Sequence, residues 1–290
     1  MTSAPPRPLG RAGRLVRLAR VLRPSRTRAL FFALALLLLA ACSSPPPEQP
    51  EPPEPTPRPL WQPRPGLAWQ WQLDGRIDHA VDVPVYDIDG FENDAETVRR
   101  LHRDGRKVIC YINAGAWESF RPDHADFPRS VLGGRNGWEG ERWLDIRRLD
   151  TLRPLMAKRM DLCRERGFDA VEPDLLDGYL NETGFDLTAS DQLAYNRMIA
   201  RLAHERGLSV GLKNDLPQVR QLVGDFDFAV NEECAQYGGC AQLAPFVKAG
   251  KAVFHVEYAL PVDRFCEQSR RLGFSSMRKK LDLGAWRQPC

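Results

Sequence analysis

Eight short apolar runs recur along the chain, and longer stretches with helical spacing separate most of them. The runs are Ala68–Leu73, Val83–Asp87, Lys107–Asn113, Asp169–Pro173, Ser209–Lys213, Phe226–Asn231, Ala252–Glu257 and Phe274–Arg278. Short runs alternating with amphipathic stretches predict parallel β/α units. Asn93–Arg103 places Val98 and Leu101 on one face, and Thr151–Arg166 turns Leu152, Leu155, Met156 and Cys163 inward. Ser190–Glu205 follows a Thr188…Asp191 capping box and turns Ala194, Met198 and Leu202 inward. Shorter helices are expected over Gln218–Val223, Leu243–Ala249 and Val262–Arg271. Ala114–Arg148 is a non-repeating insert rich in Trp, Gly and charge. Eight units in roughly 220 residues suit the lower end of a TIM barrel. A doubly wound open sheet loses, because no Gly-rich phosphate fingerprint follows any strand. The expected fold is α/β, a single-domain (β/α)8 TIM barrel over residues 67–290.

The first 66 residues stand apart. Eight arginines from Arg7 to Arg28, with no acid, precede an apolar run from Ala29 to Ala41. The run is shorter than the ~20 residues that span a bilayer. It fits the apolar core of a signal peptide covering 1–41. It ends in Leu39-Ala40-Ala41-Cys42, the pattern of a bacterial lipoprotein signal, which makes Cys42 the lipidation site. Acyl chains there would hold the protein to a membrane, each buried CH₂ adding ~0.8 kcal/mol. The expected location is outside the cytoplasm, anchored to the cell membrane. Ser43 rather than Asp suits the outer membrane of a Gram-negative source. Residues 42–66 are close to half proline, too poor in apolar surface to fold alone. They read as an extended stalk of roughly 75 Å at ~3.1 Å per residue.

Charge and cysteines narrow the partners. The chain has 41 basic and 38 acidic residues. Without the eight leader arginines, the basic count falls to 33, so the mature chain is net negative by 5. No basic stripe points to nucleic acid, and a monomer is expected. Six cysteines remain beyond Cys42: Cys110, Cys163, Cys234, Cys240, Cys266 and Cys290. An exported domain permits disulfides, and six cysteines allow fifteen pairings. Cys234 and Cys240 are close enough to clip one loop. No CxxC pair or His cluster suggests zinc, so neither a metal nor another cofactor is expected.

Active sites of such barrels form at the C-terminal strand ends. The second run ends in Asp87-Ile88-Asp89 and the third in Tyr111-Ile112-Asn113. The fourth ends in Glu172-Pro173-Asp174, with Asp177 beyond it. Lys213-Asn214-Asp215 closes the fifth, Asn231-Glu232-Glu233 the sixth, and His255-Val256-Glu257-Tyr258 the seventh. Like charges round one mouth repel, and some of their pKa values must rise. Glycoside hydrolysis needs such a set: one carboxylic acid to protonate the leaving oxygen and one carboxylate across the anomeric carbon. Clustered acids also suit Ca²⁺ or Mg²⁺, but no known loop spacing appears. Individually the acids have plainer readings. Asp87 and Asp89 could cap the next helix, Asp215 could cap the turn at Leu216-Pro217, and His255 could be a satisfied core histidine. No Gly-x-Ser-x-Gly elbow supports a serine hydrolase.

Several ordered segments carry a family resemblance. GFDAVEPDLLDGYLNETGF, LTASDQLAYNRMIARLAHERGLSVGLKND, DFAVNEECAQY, KAVFHVEY, KVICYINAGAWE and WLDIR resemble the endo-α-1,4-polygalactosaminidases of glycoside hydrolase family 114. The resemblance spans Trp69 to the C-terminus. It implies a (β/α)8 barrel and retaining endo-hydrolysis of α-1,4-linked galactosamine polymers. It also implies that Asp174 in VEPD and Glu232 in NEEC are catalytic. Glu233 stands where the family more often has Gln, so it is the second choice for the acid. Asp174 is expected as nucleophile and Glu232 as acid/base, their carboxyls ~5–5.5 Å apart. Asp87, Asp89, Tyr111, Glu172, Asp177, Lys213, Asn214, Glu233, Glu257 and Tyr258 are expected to hold the substrate. A glycan-binding lipoprotein without turnover and a hydrolase of another α-galactoside are the competing readings.

Overall fold

The computed structural model describes residues 60–290. The expected signal peptide, Cys42 and most of the proline-rich stalk lie outside the described residues. Eight parallel strands form one curled sheet: β1 (Trp69–Gln72), β2 (Val85–Asp89), β3 (Lys107–Asn113), β7 (Ala170–Asp174), β8 (Ser209–Lys213), β9 (Phe228–Glu232), β10 (Val253–Glu257) and β11 (Ser275–Arg278). Each overlaps one of the eight apolar runs. The order β1-β2-β3-β7-β8-β9-β10-β11 follows the chain, as a TIM barrel requires. Helices α1 (Ala95–Arg103), α2 (Leu149–Arg166), α3 (Ala189–His204), α4 (Val219–Leu222), α5 (Ala244–Lys248) and α6 (Cys266–Leu272) connect consecutive strands from β2 onward.

The two faces of the sheet bury two separate cores. Between sheet and helices lie residues such as Ile88, Val98, Leu101, Met156, Met198 and Leu212. Inside the barrel, Trp69, Trp71, Phe228, Phe254 and Met277 fill the base. A Cβ on Gly211 would sit 2.4 Å from the Phe228 ring, so that position has room only for glycine. Each buried large apolar side chain contributes ~1.5–3 kcal/mol. Above this apolar base the interior positions near the strand C-termini carry the charged side chains, which places them at one mouth.

Four features depart from the sequence reading. Ala194 is exposed rather than inward; Tyr195 and Gln192 take the buried face of α3. The insert is itself structured, as an antiparallel sheet of β4 (Ala116–Glu118), β6 (Glu141–Leu144) and β5 (Leu132–Arg135). The last residues of the proline-rich segment pack on the domain. Ala252 N donates to Pro63 O at 2.9 Å, and Ser209 Oγ donates to Trp61 O. Residues 60–66 therefore belong with the folded unit, not with the stalk. Finally, no strand ladder joins β11 to β1 among the described residues. The C-terminal tail, ending in β12 (Gln288–Pro289), pairs antiparallel with β11, while Leu73 N donates to Leu283 O at 3.0 Å. The Cys266–Cys290 disulfide pins that tail; Cys110–Cys163 and Cys234–Cys240 are the other two pairs.

Candidate active site

Three strand ends converge on one ammonium. Lys213 closes β8 and is 1% exposed. Its Nζ lies 2.9 Å from Asp174 Oδ1, 3.0 Å from Glu172 Oε1 and 3.3 Å from Glu232 Oε2. Burial favours loss of its proton, but Asp174, Glu172 and Glu232 hold the pKa well above the usual lysine value. The rings of Trp71 and Tyr111 flank the same ammonium, at 4.9 Å and 5.9 Å from their centres.

Asp174 ends β7 and accepts three hydrogen bonds: Lys213 at 2.9 Å, Tyr111 OH at 2.8 Å and Leu175 N at 2.8 Å. Burial works against its charge, yet Lys213 and the other donors keep its carboxyl below the usual carboxylate range. It is therefore an anion at neutral pH. Glu232 ends β9, accepts a hydrogen bond from Tyr258 OH, and donates from its own backbone N to Asn214 Oδ1 at 3.0 Å. One ammonium touches both carboxyls, at 2.9 Å and 3.3 Å, so those two oxygens stand no more than about 6.2 Å apart.

Beneath this pair, Trp71 Nε1 donates to Glu172 Oε2 at 2.9 Å. Asp87 on β2 is wholly buried, and no donor reaches either of its oxygens. Burial, then the neighbouring Glu172 charge, pushes its carboxyl well above the usual range. That shift favours the neutral form of Asp87, which eases the burial of two acids side by side.

Above the pair opens a cavity of about 240 Å³, the scale of one sugar ring rather than the ~300–1,000 Å³ of larger ligand sites. Asp74, Glu141, Asp174, Glu232 and Asp282 line it against the single cation Lys213, with Trp71, Tyr111, Trp138 and Tyr258 as aromatic walls. The backbone around it is strained. Among the described residues, five non-glycine positions have positive φ: Leu175, Asn214, Asp215, Glu233 and Leu283. Three of them directly follow Asp174, Lys213 and Glu232 along the chain, and Asp215 comes one residue later. Such residues cost ~1–3 kcal/mol each and cluster where a side chain must be aimed. Gly115 makes the first turn possible: a Cβ there would lie 2.0 Å from Leu175 O.

The structure divides the expected site residues. Asp174, Glu232, Tyr111, Lys213 and Tyr258 line the cavity; Glu172 and Asp87 lie below it, and Asn214 braces Glu232 from behind. Asp89 does something else. Its oxygens take Arg121 at 3.0 Å and 2.5 Å and cap Phe91 N and Glu92 N. Glu257 is fully buried, bonded to His255 Nε2 at 2.8 Å and to Ala235 N at 2.8 Å. It supports the loop after β9 rather than a sugar, and His255 is a satisfied core histidine, its Nδ1 on Ser276 Oγ. The Cys234 and Cys240 sulfurs near His255 are joined to each other, which removes them as metal ligands. Asp177 is half-buried at the rim, its pKa raised to about 6 by burial and then Asp174. Glu233 lies off the main cavity. Asp215 is no cap: its carboxyl takes Asn196 Nδ2 at 3.0 Å, and burial, then Asp177, raises it to about 8. Glu141 and Trp138, both from the insert, escaped sequence reasoning. Their only signal was an acid among exposed Trp and Gly in a segment with no helical or strand period.

The model of glycoside-hydrolase family GH114 matches residues 50–290. The chain belongs to family GH114. It is therefore a glycoside hydrolase, and the converging carboxyls are the kind of site such an enzyme needs. Aspergillus fumigatus Ega3, solved in complex with galactosamine, is 38% identical, with a TM-score of 0.76, over 80% of this chain and 98% of that one. The glycoside hydrolase domain of PelA from Pseudomonas aeruginosa shares the fold at 15% identity and TM-score 0.57, over 76% of this chain and 96% of that one. No curated protein matches the chain.

Proposed function

We propose that this GH114 hydrolase cuts α-1,4-linked galactosamine polymers from within, retaining configuration, with Asp174 as nucleophile and Glu232 as acid/base. The observation that carries the reading is the shared contact of both carboxyls with Lys213, which holds them on either side of one sugar-sized gap. In the first step Asp174 bonds to the anomeric carbon as the glycosidic bond breaks, and Glu232 gives its proton to the leaving oxygen. In the second, Glu232 takes a proton from water, whose oxygen displaces Asp174. Tyr111 and Lys213 keep Asp174 anionic and aimed; Tyr258 and Asn214 fix Glu232. Four further acids beside Asp174 in the cavity suit an amino sugar, whose ammonium they attract. The 38% identical Ega3 with its bound galactosamine supports the same substrate. Endo action is supported by further concavities on either side, one sharing Trp138 and Glu141 and the other sharing Tyr258 and Leu281.

The test is reducing-end release from an α-1,4-galactosamine polymer. Asp174→Asn and Glu232→Gln should each lower turnover by at least ~10³-fold with the fold intact, as circular dichroism would read. Near-normal turnover in both would end the assignment. The N-terminal pattern further supports lipidation at Cys42 and an exported, membrane-held domain. Cys42→Ser should release the protein from the membrane fraction in cells; continued membrane retention would contradict the anchor.

A further inference from the structure

The concavity beyond Tyr258 and Leu281 has the opposite charge balance to the catalytic cavity it adjoins. The catalytic cavity sets five acids against one lysine. The neighbour sets Arg278 and Lys280 against Glu233 alone. Lys279 also borders it, but that side chain is buried and its Nζ donates to Gly284 O at 2.6 Å. Arg278 makes no ion pair among the described residues and donates to Tyr258 O at 3.0 Å. Lys280 is likewise free of an acid, and its Nζ lies 5.6 Å from the centre of the Trp286 ring. That ring is 41% exposed. A flat aromatic face at the surface matches the apolar face of a sugar, and Trp286 presents one within a cleft. Two cations beside it reject a second cation.

We propose that this concavity is a sugar subsite next to the cleavage point, selective for a unit without an ammonium group: an N-acetylated or plain hexose. The inference rests on the galactosamine-polymer reading above. The two cavities then read a charge pattern along one polymer. An amino sugar seats among Asp74, Glu141 and Asp282, and an uncharged neighbour lies over Trp286. Specificity comes from repulsion at Arg278 and Lys280 as much as from attraction elsewhere. A fully deacetylated polymer has to place an ammonium against those cations, and it becomes the poorer substrate.

The test uses the full chain and three polymers: fully deacetylated α-1,4-galactosamine, a partially N-acetylated one, and a galactose–galactosamine copolymer. Reducing ends give rates, and mass spectrometry of the products reads the sugars flanking each cut. Both mixed polymers should be cut about fivefold faster than the deacetylated one, the scale of one exposed charge contact. The uncharged sugar should always fall on the same side of the cut. The two mixed arms show which uncharged sugar is preferred. Lys280→Glu should raise the rate on the deacetylated polymer about fivefold and relax the flanking pattern, by the same charge contact. Trp286→Ala should slow the mixed polymers without helping the deacetylated one. Equal rates on all three polymers with random flanking sugars would overturn the subsite and leave the enzymatic reading standing. So would a Lys280→Glu variant with an unchanged rate ratio. No cleavage of any galactosamine polymer would remove the substrate reading, and the subsite with it.

Discussion

Two buried ion networks stand near the strand ends, each built from carboxyls gathered on buried cations. In one, Arg121 holds Asp89 and Glu118, while Arg159 holds Glu118 and Asp123 and donates to Asn113 O at 2.6 Å. In the other, Lys213 alone holds Glu172, Asp174 and Glu232. Two guanidinium groups face three enclosed carboxyls in the first, with the exposed Glu92 at 3.6 Å from Arg121 outside them. Their planar forks occupy most lone pairs, and none of these groups lines the cavity. One point-like ammonium faces three carboxyls in the second, so negative charge is left over beneath an open cavity. The first network locks the insert onto the barrel. The second leaves carboxylate oxygens available for chemistry. Reactivity here follows from the ratio of cations to acids and from access, not from the presence of acids.

Several changes would break or sharpen that contrast. The largest effect is expected from Lys213→Met, which strands Glu172 and Asp174 without a cation. Turnover should fall by ~10³-fold or more, and the pKa of Asp174 should rise, since its main source of positive charge is gone. A pH–rate profile checks this: the acid limb should move to higher pH in whatever activity remains. A profile unchanged in shape and height would show that Lys213 does not set the Asp174 charge.

Arg159→Met acts on the other network. Removing one partner from a buried set typically costs ~3–5 kcal/mol, so chemical denaturation should show a loss of that size. Turnover per folded molecule at saturating polymer should stay within about twofold, since the first network touches no reacting atom. A large fall in turnover with stability intact would erase the distinction. Gly115→Ala should cost ~1–3 kcal/mol of stability and also slow catalysis, because Leu175 and then Asp174 must move. Normal activity there would show that the Leu175 turn does not aim Asp174.

The smallest effect is a pH trend. Burial, then the Asp177 charge, raises the Asp215 carboxyl in the folded protein to about 8, well above the ordinary aspartate range. The folded state therefore binds its proton more tightly than the unfolded state does. Its contribution to stability is present at low pH and is lost as pH rises towards about 8. Asp215→Asn should flatten that part of the stability profile, since Asn can still accept from Asn196. An unchanged profile would place the titration elsewhere.

The barrel strands were legible because their apolar runs and strand-end acids repeat at regular intervals. The convergence of Asp174 and Glu232 on one cavity follows their places at strand ends, although on composition alone Asp174 and Asp89 look alike. What separates them is Arg121, 32 residues beyond Asp89 in an insert with no clear period. The strands of that insert are short, and β5 carries Gly133 and Gly134, so no alternation announces them. Asp215 looked like a cap because Leu216-Pro217 follows. Its left-handed backbone turns the carboxyl instead towards Asn196, a contact set by α3 packing rather than by neighbours in sequence. The seam was hidden for a similar reason, since closure depends on where the C-terminal tail and Cys290 land.

The most direct test is to trap the covalent intermediate. Glu232→Ala would be mixed with a galactosaminyl fluoride, whose leaving group needs no acid, and its peptides mapped by mass. The account predicts a galactosaminyl adduct on Asp174. An adduct on another residue, or none alongside a product of inverted configuration, would contradict it.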